Sequence, residues 1–197
     1  MQKRQIECLP RGLLIVGKER DTLEILDRLH GVRHDRAVAW GRYDEERNAV
    51  EYTVGAFEHI SPGIFHRLTG ALSSKRLPIL SAEIHTLAEG LVLDRFYVQD
   101  LDFAPPPPAD RIADVTAALV KSLTDPTEVP PRFRSVWGTT KDEPVEHLPT
   151  QVRLDNSTSD RYTIVTIFSY DRLGLLYSIT HALYMLGLSV RVALAHV

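Results

Sequence analysis

Gly63 and Gly174 each stand where a β-rich run gives way to an apolar helical pattern, and that placement can hold an anion. A strand that turns sharply into a helix often needs a residue without Cβ, because close approach or positive φ excludes most side chains. The first backbone N–H groups of the helix have no intrahelical partner. The helix dipole adds roughly 0.3–1 kcal/mol for a negative charge beside them. A carboxylate suits such a turn, and a small amino acid presents one. A lone glycine turn also serves as a tight connection that binds nothing.

The other chemistry-bearing residues are better read as structure. Gly12 to Glu19 approaches the phosphate loop G-x-x-x-x-G-K-[ST], but Glu19 replaces the magnesium-binding hydroxyl and the intervening residues form an apolar run. His34-Asp35 is a metal-binding dipeptide in some hydrolases, yet no other His or Asp stands in a matching helical context. Asp100-Leu101-Asp102 has the spacing of a two-carboxylate metal site. Nucleotidyl transfer also needs a Gly-Ser turn and a third carboxylate, and neither is visible. His59, His66 and His85 lack ligand spacing. Ser61 lacks a recognisable base and orienter. Ile64, Leu68 and Leu72 form a core stripe at helical spacing. No metal or cofactor is expected.

The chain that positions these residues has 197 residues and a net charge of -3, which implies no broad basic face for nucleic acid. No apolar run approaches a membrane span. Met1 to Pro10 lacks the apolar stretch of a leader peptide, and Cys8 is the only cysteine. A cytoplasmic protein is expected. Leu13 to Val16 reads as a strand. Leu23, Ile25, Leu26 and Leu29 form a helical pattern ending at Gly31. Ala37–Tyr43 and Ala49–Phe57 read as a hairpin. Pro62 opens a helix carrying Ile64, Phe65, Leu68, Ala71 and Leu72. Ile79–Thr86 and Leu91–Val98 form a second hairpin, and Ile112, Val115, Leu119 and Val120 mark another helix. Residues 126–150 hold five prolines and little periodicity, as a linker does. Val152–Leu154 and Tyr162–Phe168 read as strands, Leu175–Leu186 as a helix and Leu188–Val197 as β-like.

Two of these stretches repeat. Placing Gly63 over Gly174, an offset of 111 (174 minus 63), aligns the chain without a gap to Thr86 and Val197. Thr69 then meets Thr180, Ala71 meets Ala182, Leu72 meets Leu183, Leu77 meets Leu188 and His85 meets His196. Duplication of a strand–turn–helix–strand unit explains this better than chance. The first copy continues with a further strand and helix, whereas the second has one residue after His196. An isolated βαβ piece buries too little apolar surface to offset its ordering entropy. The second copy is therefore expected to hold an unpaired strand and a half-covered helix, so that the chain is a fragment of a longer protein or the second copy pairs with another chain. The rival expectation is that the remnant packs on the first copy.

Asp171-Arg172-Leu173-Gly174-Leu175-Leu176 resembles the D-R-P-G-L-L signature of ACT domains. The stretch from Val152 to Asn156 and on from Ser159 to Thr163 is similar to the segment between the tandem ACT domains of the bifunctional uridylyltransferase/uridylyl-removing family. Ser61 to Phe65 and Leu91 to Asp100 are similar to the first ACT domain of that family, so the resemblance covers about residues 50–197. It implies an α+β, ferredoxin-like βαββαβ module followed by an incomplete βαβ module. The divisions are then an N-terminal αβ segment at 1–49, a first domain at 50–125, a linker at 126–150 and a second domain at 151–197. The resemblance also implies a regulatory role without a catalytic site in this chain. An amino-acid effector, glutamine above all, would be held by Ser61, Gly63, Ile64, Asp171, Arg172, Gly174, Leu175 and Ser189. The partners would be the PII nitrogen-signalling protein, reached through a parent uridylyltransferase, and further copies joined through ACT sheets.

The pattern departs from the family in places. Ile60 and Ser61 replace Asp and Arg in the first copy, and Leu173 replaces Pro in the second. Pro78 and Ser189 stand where the family often has a ligand-holding Asn. Pro78 offers neither N–H nor polar side chain, whereas Ser189 can still hydrogen-bond. These losses fit a second expectation, an interaction scaffold that binds no ligand.

Overall fold

The computed structural model describes residues 25, 27–29, 32–127 and 149–196. The strand expected at Leu13–Val16, the Gly12–Glu19 loop and most of the 126–150 segment lie outside these residues, as does much of the helix expected before Gly31. The chain divides into two compact units, 1–133 with 173–197, and 134–172.

The larger unit contains β1 (Val38–Asp44), β2 (Ala49–Phe57), α1 (Ile64–Ser74), β3 (Ile79–Thr86), β4 (Leu91–Val98), α2 (Ala109–Thr124), α3 (Leu175–Met185) and β7 (Val192–His196). The smaller unit contains β5 (Gln151–Asp155) and β6 (Ile164–Phe168). The expected β-like run from Leu188 begins as a strand only at Val192. Gly187, at φ 72°, ends the helix first, and residues 188–191 lead irregularly into β7.

The five-stranded sheet runs β1-β2-β4-β3-β7, and every neighbouring pair is antiparallel. With α1 and α2, the order β2-β4-β3 makes a ferredoxin-like α+β module. The edge position beside β2, which a terminal fourth strand takes in βαββαβ order, is filled by β1 from before the module. The chain order is thus ββαββα. Strand alternation sends Val50, Tyr52, Val54 and Ala56 of β2 to one face with Val92, Phe96 and Val98 of β4. Leu68 and Leu72 of α1 and Val115, Leu119 and Leu123 of α2 cover that face. Each large side chain so buried contributes roughly 1.5–3 kcal/mol. On the opposite face Leu91 and Leu93 meet Ile25 and Leu29. Beside them Glu51 accepts hydrogen bonds from Arg42 and Tyr97. Burial and that carboxylate push the Tyr97 hydroxyl up to about 12.

The second copy does not carry an unpaired strand. β7 pairs with β3, and Leu176, Ala193 and Ala195 pack on the first copy's core. The register is that of a local twofold axis. Glu83 faces Leu194, its own repeat-mate, and Ser81↔His196 mirrors His85↔Val192. The helix ends repeat bond by bond. Leu77 N–H donates to Leu72 O at 3.1 Å, and Leu188 N–H donates to Leu183 O at 3.0 Å. These are Schellman-type closures, with Arg76 (φ 59°) and Gly187 (φ 72°) as the left-handed residues.

In the smaller unit, β5 and β6 form an antiparallel hairpin. The D-N-S-T-S-D-R-Y-T segment is its loop. Asp155 accepts hydrogen bonds from the backbone and hydroxyls of Ser157 and Thr158. Those bonds, the Thr158 hydroxyl first, hold its carboxyl well below the usual range. Asn156 accepts from Thr163 at 2.6 Å.

Candidate functional site

Both glycine turns take the conformation their position demands. Gly63 (φ 68°, ψ 45°) and Gly174 (φ 80°, ψ 7°) are left-handed N-caps of α1 and α3, and among the described residues neither helix start receives a side-chain capping bond. At Gly63 the absent Cβ matters twice. Besides the positive φ, a Cβ would lie 2.1 Å from the His66 ring and 2.9 Å from Tyr184. The first turn thus lies against the second copy's helix. Ser61 and Ile64 beside it are buried.

The helices meet through equivalent stripes. His66, Thr69, Gly70 and Ser73 lie at i, i+3, i+4 and i+7 on α1, and Tyr177, Thr180, His181 and Tyr184 are their repeat-mates on α3. Thr69 and Thr180 share a hydrogen bond at 3.1 Å, on the pseudo-twofold axis. His66 packs on Tyr184 at 4.4 Å between ring centroids and edge-on to His181 at 5.5 Å. Where α3 carries His181 and Tyr184, α1 carries Gly70 and Ser73, so large residues have small repeat-mates.

Beyond α3 the chain passes Gly187 and Ser189 and enters β7 at the same end of the sheet as the β2 exit. Arg191, just before β7, makes an ion pair with Glu58, just after β2. Glu58, Ser61 and Gly63 of the first copy and Tyr184 and Arg191 of the second therefore border one inter-copy region. Ser189 is exposed two residues before Arg191. Asp171 and Arg172, both exposed, belong to the smaller unit, whereas Gly174 and Leu175 belong to the larger. Sequence alone gives no binding role to Glu58, His66, Tyr184 and Arg191. The four-residue helical stripe was the legible signal for two of them. Glu58 and Arg191 have Ser169 and Leu80 as repeat-mates, so the repeat carried no sign of them.

The remaining clusters have structural roles. Arg111 donates to Asp100 at 2.7 Å and to the Lys75 carbonyl at 2.6 Å, tying the β4 exit and the end of α1 to α2. Arg76 pairs with Asp102 at 3.0 Å. His34 packs on Phe57 and His59. Among the described residues no group of three His, Cys, Asp or Glu could hold a metal ion, and no helix is long and apolar enough to cross a membrane. Asp94 is fully buried on β4, and neither carboxylate oxygen is hydrogen-bonded among the described residues. Burial pushes its carboxyl well above the usual range, opposed by the nearby His85 backbone amide.

The fold is a ferredoxin-like α+β arrangement compatible with ACT modules. The chain is related over most of its length to the bifunctional uridylyltransferase/uridylyl-removing enzymes. It is 31% identical to that of Gluconobacter oxydans over 154 residues, 77% of this chain and 16% of the relative. It is 34% identical to that of Rhodospirillum rubrum over 149 residues, 71% of this chain and 15% of the relative. It is 32% identical to that of Bradyrhizobium diazoefficiens over 167 residues, 83% of this chain and 17% of the relative. The chain thus spans about one sixth of the length of these curated relatives. No protein-family model matches it, and no solved structure does.

Proposed function

We propose that this chain is a regulatory, amino-acid-sensing ACT region of a PII-modifying uridylyltransferase, with glutamine as its effector and no catalytic site of its own. The parent would act on PII in the cytoplasm. The observation that carries the reading is the pairing of the two copies through β3–β7 and α1–α3, with an uncapped glycine turn opening each helix. Ser61, Gly63, Ile64 and Ser189 would contact the effector at the Gly63 turn, while Gly174 and Leu175 open the pseudo-symmetric turn at the other end of the helix pair. An effector bound there shifts activity only by binding two arrangements of the parent unequally. Calorimetric titration of the chain with the common amino acids tests this. Saturable binding of glutamine above the others is expected, and no heat with any of them would remove the sensor role.

A second reading is favoured by the exposed apolar residues Met185, Leu186, Leu188 and Leu194 of the second copy. Patches of that kind mark interaction surfaces, and the copies would then act as a scaffold joining chains. A dimer in light scattering that ignores amino acids supports the scaffold, and a monomer that binds glutamine removes it.

A further inference from the structure

We infer that Glu58 and Arg191 form a two-point clasp for the charged ends of an α-amino acid, Arg191 taking the carboxylate and Glu58 the ammonium. The clasp rests on the amino-acid-sensing reading above and names the groups that would recognise the ligand's zwitterion.

The pair joins the two copies. Glu58 follows β2, and Arg191 precedes β7, 133 residues further on. The sheet register brings them to one end: Phe57 faces Leu91, Thr86 faces Val92, and His85 faces Val192. Gly63 and Tyr184 meet beside this region, so a group held by the pair has the α1 turn as its neighbour. Gly90, at φ 74°, stands beside the Glu58 carboxylate.

The pair is chemically matched to a zwitterion. A guanidinium binds carboxylate through two parallel N–H donors, and a carboxylate accepts from an ammonium. Each group is more than two-fifths exposed, at 44% for Arg191 and 43% for Glu58, so a solute can reach both. An ion pair this exposed adds little to stability, and exchanging it for two ligand contacts conserves charge. Glu58 and Arg191 have the uncharged repeat-mates Ser169 and Leu80. The pseudo-symmetric end therefore lacks a clasp, and the expected stoichiometry is one ligand per chain.

The test is calorimetry on the whole chain with L-glutamine, its methyl ester and N-acetyl-L-glutamine. The unaltered chain should bind one glutamine and bind both blocked forms more weakly. Arg191→Gln should weaken glutamine roughly 10- to 100-fold, as loss of a charged hydrogen bond does, while leaving the methyl ester near its unaltered affinity. Glu58→Gln should do the same with N-acetylglutamine as the insensitive ligand. Glutamine binding unchanged in both variants overturns the clasp and leaves the sensor reading standing. Equal losses for all three ligands indicate structural damage and overturn it as well. No binding by the unaltered chain removes the sensor reading, and the clasp with it.

Discussion

β2 and β6 are the first strands of two copies of one unit, yet one is buried and the other exposed. Residues 49–56 of β2 are buried throughout, whereas four of the five residues of β6 are exposed. β2 lies between β1 and β4 under two helices. Among the described residues β6 pairs only with β5, and a two-stranded hairpin is marginal in water. In the first copy β4 bridges β2 and β3, and among the described residues no strand bridges β6 and β7. The second copy's helix and last strand have instead joined the first copy's layers. Burial follows from the partners that topology supplies, and equal sequence patterns do not guarantee it.

The largest expected effect that separates the copies is at Leu72 and Leu183, the same residue type at equivalent positions. Leu72 is fully buried and Leu183 only partly. Leu72→Ala should cost about 2–5 kcal/mol in denaturant unfolding, and Leu183→Ala less than half of that. Equal losses would mean that the second helix is as fully enclosed as the first.

Asp94 sharpens the comparison from inside the complete copy, because its raised carboxyl pKa works against folding. The unfolded chain loses the proton near its ordinary 3.8 while the folded one retains it. Stability is therefore lost as pH rises above that value, until the folded group ionises too. Asp94→Asn should stabilise the protein increasingly above about pH 4, by roughly 1.4 kcal/mol per pH unit until the folded group titrates. Thermal unfolding at pH 3.5 and pH 7 reads this as a gain at the higher pH only.

The left-handed glycines give a smaller contrast. Gly187→Ala meets open space, so only its φ of 72° is strained, costing about 1–2 kcal/mol. Gly63→Ala adds a clash with the His66 ring, and its Tm should fall further. The smallest expected term is the hydroxyl pair on the axis. A double-mutant cycle of Thr69→Val and Thr180→Val should show a coupling of about 0.5–1 kcal/mol. A coupling of zero would place the two hydroxyls apart.

Most of the elements were legible in sequence because each carries its own period. The expected ranges for β3 and β4 match the observed ones, and those for α1 and α3 differ by a residue or two at their ends. The repeat was legible too, and its offset appears again in the Schellman closures and in Thr69–Thr180. What one strand's pattern does not specify is its neighbour. Nothing in the alternation of Val192 to His196 says that it adds to the edge of β3. Nothing in β1 says that it takes the position beside β2. The larger copy's glycine turn was visible as a break between strand and helix. Its wall was not, since Glu58 and Arg191 are ordinary surface charges until the two copies pair.

Amide hydrogen exchange along β7 tests that pairing most directly. Hydrogen-bonded amides within Val192–Leu194 should exchange more slowly than those of residues 189–191, and more slowly still with bound effector. Exchange in β7 as fast as in residues 189–191, with β3 and β4 protected, would contradict the paired copies and the site built between them.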